Sequence, residues 1–296
     1  MASLKEIRTR IESVSSTRQI TNAMKMVSAA KLRRAQEAII QLRPYAEKLQ
    51  EILASVSDSL AGDEDNLYVR GGEINHVLLV VITSNRGLCG AFNSNILKAA
   101  VNMAHEEYGE LLRRDDLHFL TIGRRGTEFL KRRKFNVVKS RNDLFDNLSF
   151  DNVGEVGDEL IQSFLTKEYD KILLVYNQFK NAAVQILTAE QFLPLELPED
   201  DGTSESKATH LDYIFEPSKN YIVTELIPKS LRIQFYKALL DSNAAEQGAR
   251  MTAMHKATDN ATELMRELRL HYNKARQADI TNEILEIVSG AEALKG

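Results

Sequence analysis

Two long stretches at opposite ends of the chain nearly exclude glycine and proline, and this constrains the fold more than any other feature. Residues 3–57 contain Pro44 and no glycine; residues 229–288 contain Gly248 and no proline. Each stretch predicts a helix. At 1.5 Å per residue the first extends roughly 80 Å and the second roughly 90 Å. No compact domain needs that length, so such helices protrude. In the first, steps of three and four residues pick out Leu4, Ile7, Ile11 and Val14, then Leu32, Ala35, Ile39 and Leu42, then Leu49, Leu53 and Val56. That is a heptad-like stripe. In its middle the same steps reach Arg18, Thr21, Lys25 and Ser28, while apolar residues sit one place away at Ile20, Met24 and Val27. A straight helix drifts against a seven-residue repeat, so the apolar stripe is expected to rotate slowly around it.

In the second stretch Pro228 marks either the helix start or a kink, because proline suits a first turn and disrupts an interior one. Between Ala244 and Ala261, nine of eighteen residues are Ala, Gly or Thr. The first helix has its own low-volume positions at Ser28, Ala29, Ala30, Ala35 and Ala38. Small side chains permit close approach, so the two helices are predicted to pair antiparallel. Near the end, Ile284, Leu285, Ile287 and Val288 make the second helix apolar on all sides, a pattern of enclosed helices. This tip projects beyond its own domain, so another protein is expected to surround it.

Between the helices the pattern changes. Residues 61–72 read as a linker. Val77–Ile82 lies in a short apolar run typical of a buried parallel strand. A glycine loop follows, then a helix over 93–108, strand 117–122, helix 124–133, strand 135–139, helix 153–165, and strands 171–177 and 184–193. This alternation predicts an α/β layer on a mostly parallel sheet. Residues 198–210 form an acidic polar loop. The expected architecture is an α/β fold, in which a Rossmann-like domain carries a long antiparallel coiled coil of the N- and C-terminal helices. Its parts are an N-terminal coiled-coil helix (1–60), an α/β foot domain (73–215) and a C-terminal coiled-coil helix (217–296).

Composition narrows the classes. With 43% hydrophobic and 27% charged residues the chain is globular. Its longest apolar run, Val77–Ile82, falls far short of the ~20 residues that cross a bilayer. The N-terminus has no apolar signal core and does not resemble a transit peptide. The single cysteine, Cys89, excludes an internal disulfide and a multi-cysteine metal site, and fits a reducing compartment. Charge is uneven: residues 1–50 hold ten Lys/Arg against four acids, a net of +6, whereas 199–216 hold six acids and one lysine. A basic helix is either a solvated face or a surface for an acidic partner.

The residues offer no catalytic constellation. Thr83–Asn93 joins a strand to a helix, where α/β proteins cradle phosphates, but it lacks both G-x-G-x-x-G and G-x-x-x-x-G-K-[ST]. Gly123-Arg-Arg-Gly126 is equally nonspecific. No histidine lies near Cys89 in sequence, and the six histidines never fall at metal-ligand spacing. The cluster Lys131–Lys134 has no aromatic platform for nucleic acid and reads as a solvated helix end. The expectation is therefore no catalytic residue, no cofactor, no metal, no nucleic acid and no small-molecule substrate.

Four segments carry a resemblance. Ile20–Leu32 (ITNAMKMVSAAKL), Thr83–Gly90 (TSNRGLCG), Ala249–Met254 (ARMTAM) and Tyr272–Leu294 (YNKARQADITNEILEIVSGAEAL) are similar, in order, to motifs of the gamma subunits of bacterial F-type ATP synthases. The resemblance spans almost the whole chain. Departures are Ala245 and Gly248 around Glu246-Gln247, Asp279 where a small residue is usual, and the acidic 199–210 loop. The cysteine pair of the redox-regulated chloroplast form is absent.

The resemblance implies a central stalk, a non-catalytic subunit of a proton-transporting rotary motor at the cytoplasmic face of the bacterial inner membrane. The coiled coil would stand inside a ring of three alpha and three beta subunits, with the α/β domain beside the epsilon subunit on the membrane c ring. Proton flow would turn it, and the bent shaft would drive ATP synthesis in beta. Carried over by motif, Arg276, Gln277, Thr281, Glu283 and Arg250 would face the beta catch region. Met24, Lys25, Arg86 and Lys98 would meet the acidic lever loops of beta, and Phe215 with Glu216 would meet the c ring. The rival classes are an α/β nucleotide-using enzyme, which would bind nucleotide alone, and an unrelated coiled-coil adaptor, which would not depend on alpha and beta subunits.

Overall fold

The computed structural model describes residues 4–57, 68, 73–195 and 219–293. In chain order these hold α1 (Leu4–Ser57), β1 (Val77–Ile82), α2 (Phe92–Glu106), α3 (Gly109–Arg114), β2 (Leu117–Ile122), α4 (Arg124–Arg132), β3 (Val137–Ser140), α5 (Phe150–Leu165), β4 (Lys171–Phe179), β5 (Gln185–Leu193) and α6 (Lys219–Ala293). They divide into two compact units. One combines Met1–Ala29 with Arg250–Gly296; the other is Ala30–Ala249. The N- and C-terminal helices pack together in a fold that also carries a mostly parallel sheet.

In the larger unit, the strand that is apolar at every position lies in the middle. The sheet order is β3-β2-β1-β4-β5, with β1 parallel to both β2 and β4, β2 parallel to β3, and only β5 antiparallel. Alternate side chains of a strand point to opposite faces. Accordingly Leu78, Val80 and Ile82 join a core with Val153, Leu160 and Phe164 of α5 and Leu231, Phe235 and Leu239 of α6. Val77, Leu79 and Val81 join a second core with Phe92, Ile96 and Ala100 of α2 and Leu130 of α4. Each fully buried aliphatic side chain contributes about 1.5–3 kcal/mol, so this strand anchors both layers.

The helix expected over 93–108 is α2, Phe92–Glu106; the short α3 after it, which the sequence reading did not name, begins at Gly109 and ends where Asp115 adopts a left-handed φ of 63°. Of the two readings of Pro228, the helix start is excluded, since α6 begins at Lys219 and runs through it. An interior proline costs about 3 kcal/mol. Here Ile227 and Leu231, buried at 2% and 1% exposure on either side of it, hold the helix against the sheet.

In the smaller unit, the seam of α1 does not rotate as expected. Ile7, Thr21 and Ser28 are buried, and Ile11, Val14, Arg18 and Lys25 are half-buried, so the seven-residue register continues straight through polar residues. Ile20 (59% exposed) and Val27 (57% exposed) face outward. On α6 the matching seam is Arg250, Met254, Thr258, Ala261, Met265, Leu268, Tyr272 and Ala275. A constant seven-residue seam keeps two helices in contact when they wind around each other, which removes the drift of a straight helix. The Thr258 hydroxyl donates to the Thr21 hydroxyl at 2.8 Å, so this polar position is buried with a partner.

Candidate functional site

The C-terminal edge of the parallel strands is where α/β folds commonly take ligands. Here its polar groups are bonded within the chain. Backbone amides of Ser84, Arg124 and Gly126 donate to Asn93 Oδ1 (2.9 Å), Asn85 Oδ1 (3.1 Å) and Thr83 Oγ1 (2.9 Å). The Arg125 amide donates to the Ser84 carbonyl at 3.2 Å, and Asn177 Nδ2 of β4 donates to the Phe92 carbonyl at 3.2 Å. The first amides of α4 thus point at the loop after β1 instead of outward. Gly123, with φ of 103°, makes this closure possible: a Cβ there would lie 2.1 Å from the Thr83 carbonyl oxygen. Cys89 is buried at 1% exposure, and Asn93 Nδ2 donates to its sulfur at 3.2 Å. Among the described residues no cluster of three or more His, Cys, Asp or Glu could hold a metal ion.

The other feature is the far end of α6. Its seam ends at Ala275, and every residue from Arg276 to Ala293 is exposed. At 1.5 Å per residue that is about 27 Å of helix outside the pairing seam. It carries large apolar side chains in the open: Ile280, Ile284, Leu285, Ile287 and Val288 are 47–71% exposed. Clustered exposed apolar surface marks an interaction site. Arg276, Gln277, Thr281 and Glu283 are exposed on the same stretch, and the Thr281 hydroxyl donates back to the Gln277 carbonyl at 2.8 Å.

The remaining sequence-predicted residues are dispersed. Arg250 is buried at 8% exposure in the α6 seam, and Met24 and Lys25 are half-buried on α1. Arg86, in the loop after β1, and Lys98, on α2, are exposed in the larger unit. Phe215, Glu216 and the acidic 199–210 loop lie outside the described residues. Sequence reasoning missed Thr21 with Thr258, whose signal was a threonine at an inward heptad step. It also missed the role of Gly248: a Cβ there would lie 3.1 Å from Ala182 Cα, so the glycine lets the β4–β5 turn touch α6.

A family model described as ATP synthase matches residues 3–294. The chain is 55% identical over 296 residues to the ATP synthase gamma chain of Christiangramia forsetii and 58% identical over 296 residues to that of Flavobacterium johnsoniae, with both chains of each pair fully covered. The chain belongs to the gamma-subunit family of F-type ATP synthases. Solved structures also share the fold. The central stalk/c-ring structure of Tetrahymena thermophila mitochondrial ATP synthase contains a chain 25% identical, with a TM-score of 0.58, covering 80% of this chain and 99% of that one. A rotor chain of Euglena gracilis mitochondrial ATP synthase, 20% identical, has a TM-score of 0.62 and covers 94% and 98%. No helix among the described residues of this gamma-family chain is long and apolar enough to cross a membrane.

Proposed function

We propose that the chain is the central rotor shaft of an F1Fo ATP synthase. It carries rotation of the membrane c ring to the catalytic beta subunits and couples proton flow to ATP synthesis and hydrolysis. It performs no chemistry itself. Its partners are three alpha and three beta subunits, the epsilon subunit and the c ring, and it stays peripheral to the cytoplasmic face of the bacterial inner membrane through them. The observation that carries this reading is the exposed, apolar end of α6 from Arg276 to Ala293. An apolar tip in an apolar sleeve turns without fixed bonds. Torque then requires polar contacts that differ between rotary states, because only differential interaction shifts an equilibrium.

Arg276, Gln277, Thr281 and Glu283 make such contacts with the beta catch region, with Arg250 lower on the shaft. Met24, Lys25, Arg86 and Lys98 meet acidic lever loops of beta, and the net +6 of residues 1–50 supports that side of the reading. Phe215 and Glu216 meet the c ring. A hydrogen bond to a charged group contributes about 1.5–3 kcal/mol, and an interaction made in only some rotary states biases the cycle by a similar amount. The test is Arg276→Ala combined with Gln277→Ala in membrane vesicles. Assembled complex is expected to persist while proton-driven ATP synthesis falls; full synthesis in the double variant would remove these residues from the mechanism.

A further inference from the structure

Six cations gather at the corner of the larger unit where α3 and α4 end. α3 runs into the start of β2 with Arg113 and Arg114 in its last turn. α4 runs toward the start of β3 with Lys131 and Arg132 in its last turn, followed by Arg133 and Lys134. β2 and β3 are parallel neighbours, so both helix ends lie at one edge of the sheet. The two turns touch: Asn136 Nδ2 donates to Asp115 Oδ2 at 3.3 Å, and the Phe119 amide donates to the Asn136 carbonyl at 2.8 Å. All six cations are exposed. Elsewhere in this unit surface cations are answered by acids, Arg124 and Arg125 by Glu128, Lys139 and Arg141 by Glu159, and Arg232 by Asp158. Among the described residues no acid forms an ion pair with any of the six, and the Arg133 guanidinium lies 4.6 Å above the Phe129 ring instead. Helix ends do attract cations, but each C-terminus carries only about half a negative charge, so with Asp115 and Asp116 counted about three of the six positive charges stay uncompensated.

We propose that this corner docks on the anionic phospholipid headgroups of the membrane. Which way the corner faces rests on the rotor reading. β5 ends at the same edge of the sheet, with Leu193 opposite Ile172 near the start of β4, and the chain runs on from there to Phe215 and Glu216, which that reading gives to the c ring. The corner is then on the membrane side of the α/β domain. An anionic bilayer attracts basic clusters through its surface potential, over about a Debye length. The nearby rings of Phe129 and Phe135 pack against the second core, which leaves no open platform for stacking nucleic-acid bases. A fixed acidic site on a stationary subunit would be met once per turn. Headgroups supply negative charge all around the rotor, so contact with them persists as the chain turns.

The test is co-sedimentation of the full chain with vesicles of phosphatidylcholine alone or with one-third phosphatidylglycerol, at low and high salt. Binding is expected only to the anionic vesicles and is expected to fall with salt. Each basic residue near an anionic surface strengthens binding about fivefold. The triple variant Lys131→Gln, Arg132→Gln, Lys134→Gln is therefore expected to bind about a hundredfold more weakly, and Arg113→Gln with Arg114→Gln about twenty-fivefold. These side chains are exposed, so both variants are expected to unfold at the wild-type urea midpoint. A variant of equal net charge, Lys5→Gln with Arg8→Gln and Arg10→Gln at the start of α1, is expected to bind as wild type does. No binding to anionic vesicles overturns the proposal, and so does an equal loss in the α1 variant. Binding to polyglutamate but not to anionic vesicles would assign the corner to an acidic protein and overturn it too. Each of these results leaves the rotor reading standing, because that reading is tested by ATP synthesis in the Arg276 and Gln277 variant.

Discussion

Thr258 of α6 donates its hydroxyl to Thr21 of α1 across 2.8 Å, linking positions 237 residues apart in the chain. Each threonine also reaches a carbonyl one turn earlier on its own helix, Met254 at 2.8 Å and Arg18 at 3.1 Å. Paired polar residues in a coiled-coil seam favour one register, because a slip breaks the bond between Thr258 and Thr21 and leaves each hydroxyl only the carbonyl of its own helix. The shaft therefore has one defined alignment.

That alignment fixes which residues can be joined. Thr21→Cys with Thr258→Cys, in a Cys89→Ser background, is expected to form an intramolecular disulfide under mild oxidation. Ile20→Cys with Thr258→Cys is expected not to, since Ile20 faces outward. Non-reducing electrophoresis checks both. Efficient joining through Ile20 instead would mean that α1 is rotated on its axis.

Gly123 closes the phosphate-type corner of the α/β domain. Gly123→Ala adds a Cβ in collision with the Thr83 backbone at a left-handed φ, so a loss of about 3 kcal/mol or more is expected. Gly109→Ala meets nothing within 4 Å and is expected to stay within about 0.5 kcal/mol of wild type. Urea unfolding measures the difference. Equal effects at the two sites would contradict the closed corner.

Because the amides of that corner are spent on Thr83, Ser84, Asn85 and Asn93, the isolated chain is expected to give no heat of ATP binding at micromolar concentrations. Calorimetry showing a micromolar site would return the chain to the nucleotide-using class.

Much of the α/β layer was legible because β1 is apolar at all six positions and glycines bracket the loops. The direction of β5 was legible in principle. Five residues separate Phe179 from Gln185, too few for a parallel crossover. Periodicity reports which face a strand buries but not its direction. The middle of α1 misled for a different reason. Hydrophobicity ranks Ile20 and Val27 above Thr21 and Ser28, yet a seam can bury small polar residues, and for Thr21 the partner hydroxyl, Thr258, lies on α6. Pro228 left the helix start open, because its cost is local while the burial of Ile227 and Leu231 that offsets it depends on tertiary packing. The exposed tip was the clearest signal of all, since Ile280, Ile284, Leu285, Ile287 and Val288 crowd one helix end and stand out without any partner in view.

The central claim is that this chain turns. Complexes of this chain with alpha and beta subunits can be fixed to glass through beta. A bead is attached to Glu110→Cys, an exposed position on α3, in the Cys89→Ser background. On addition of ATP the bead is expected to rotate in one direction in three steps per turn, one for each beta subunit. ATP hydrolysis at the full rate with a stationary bead would contradict the account.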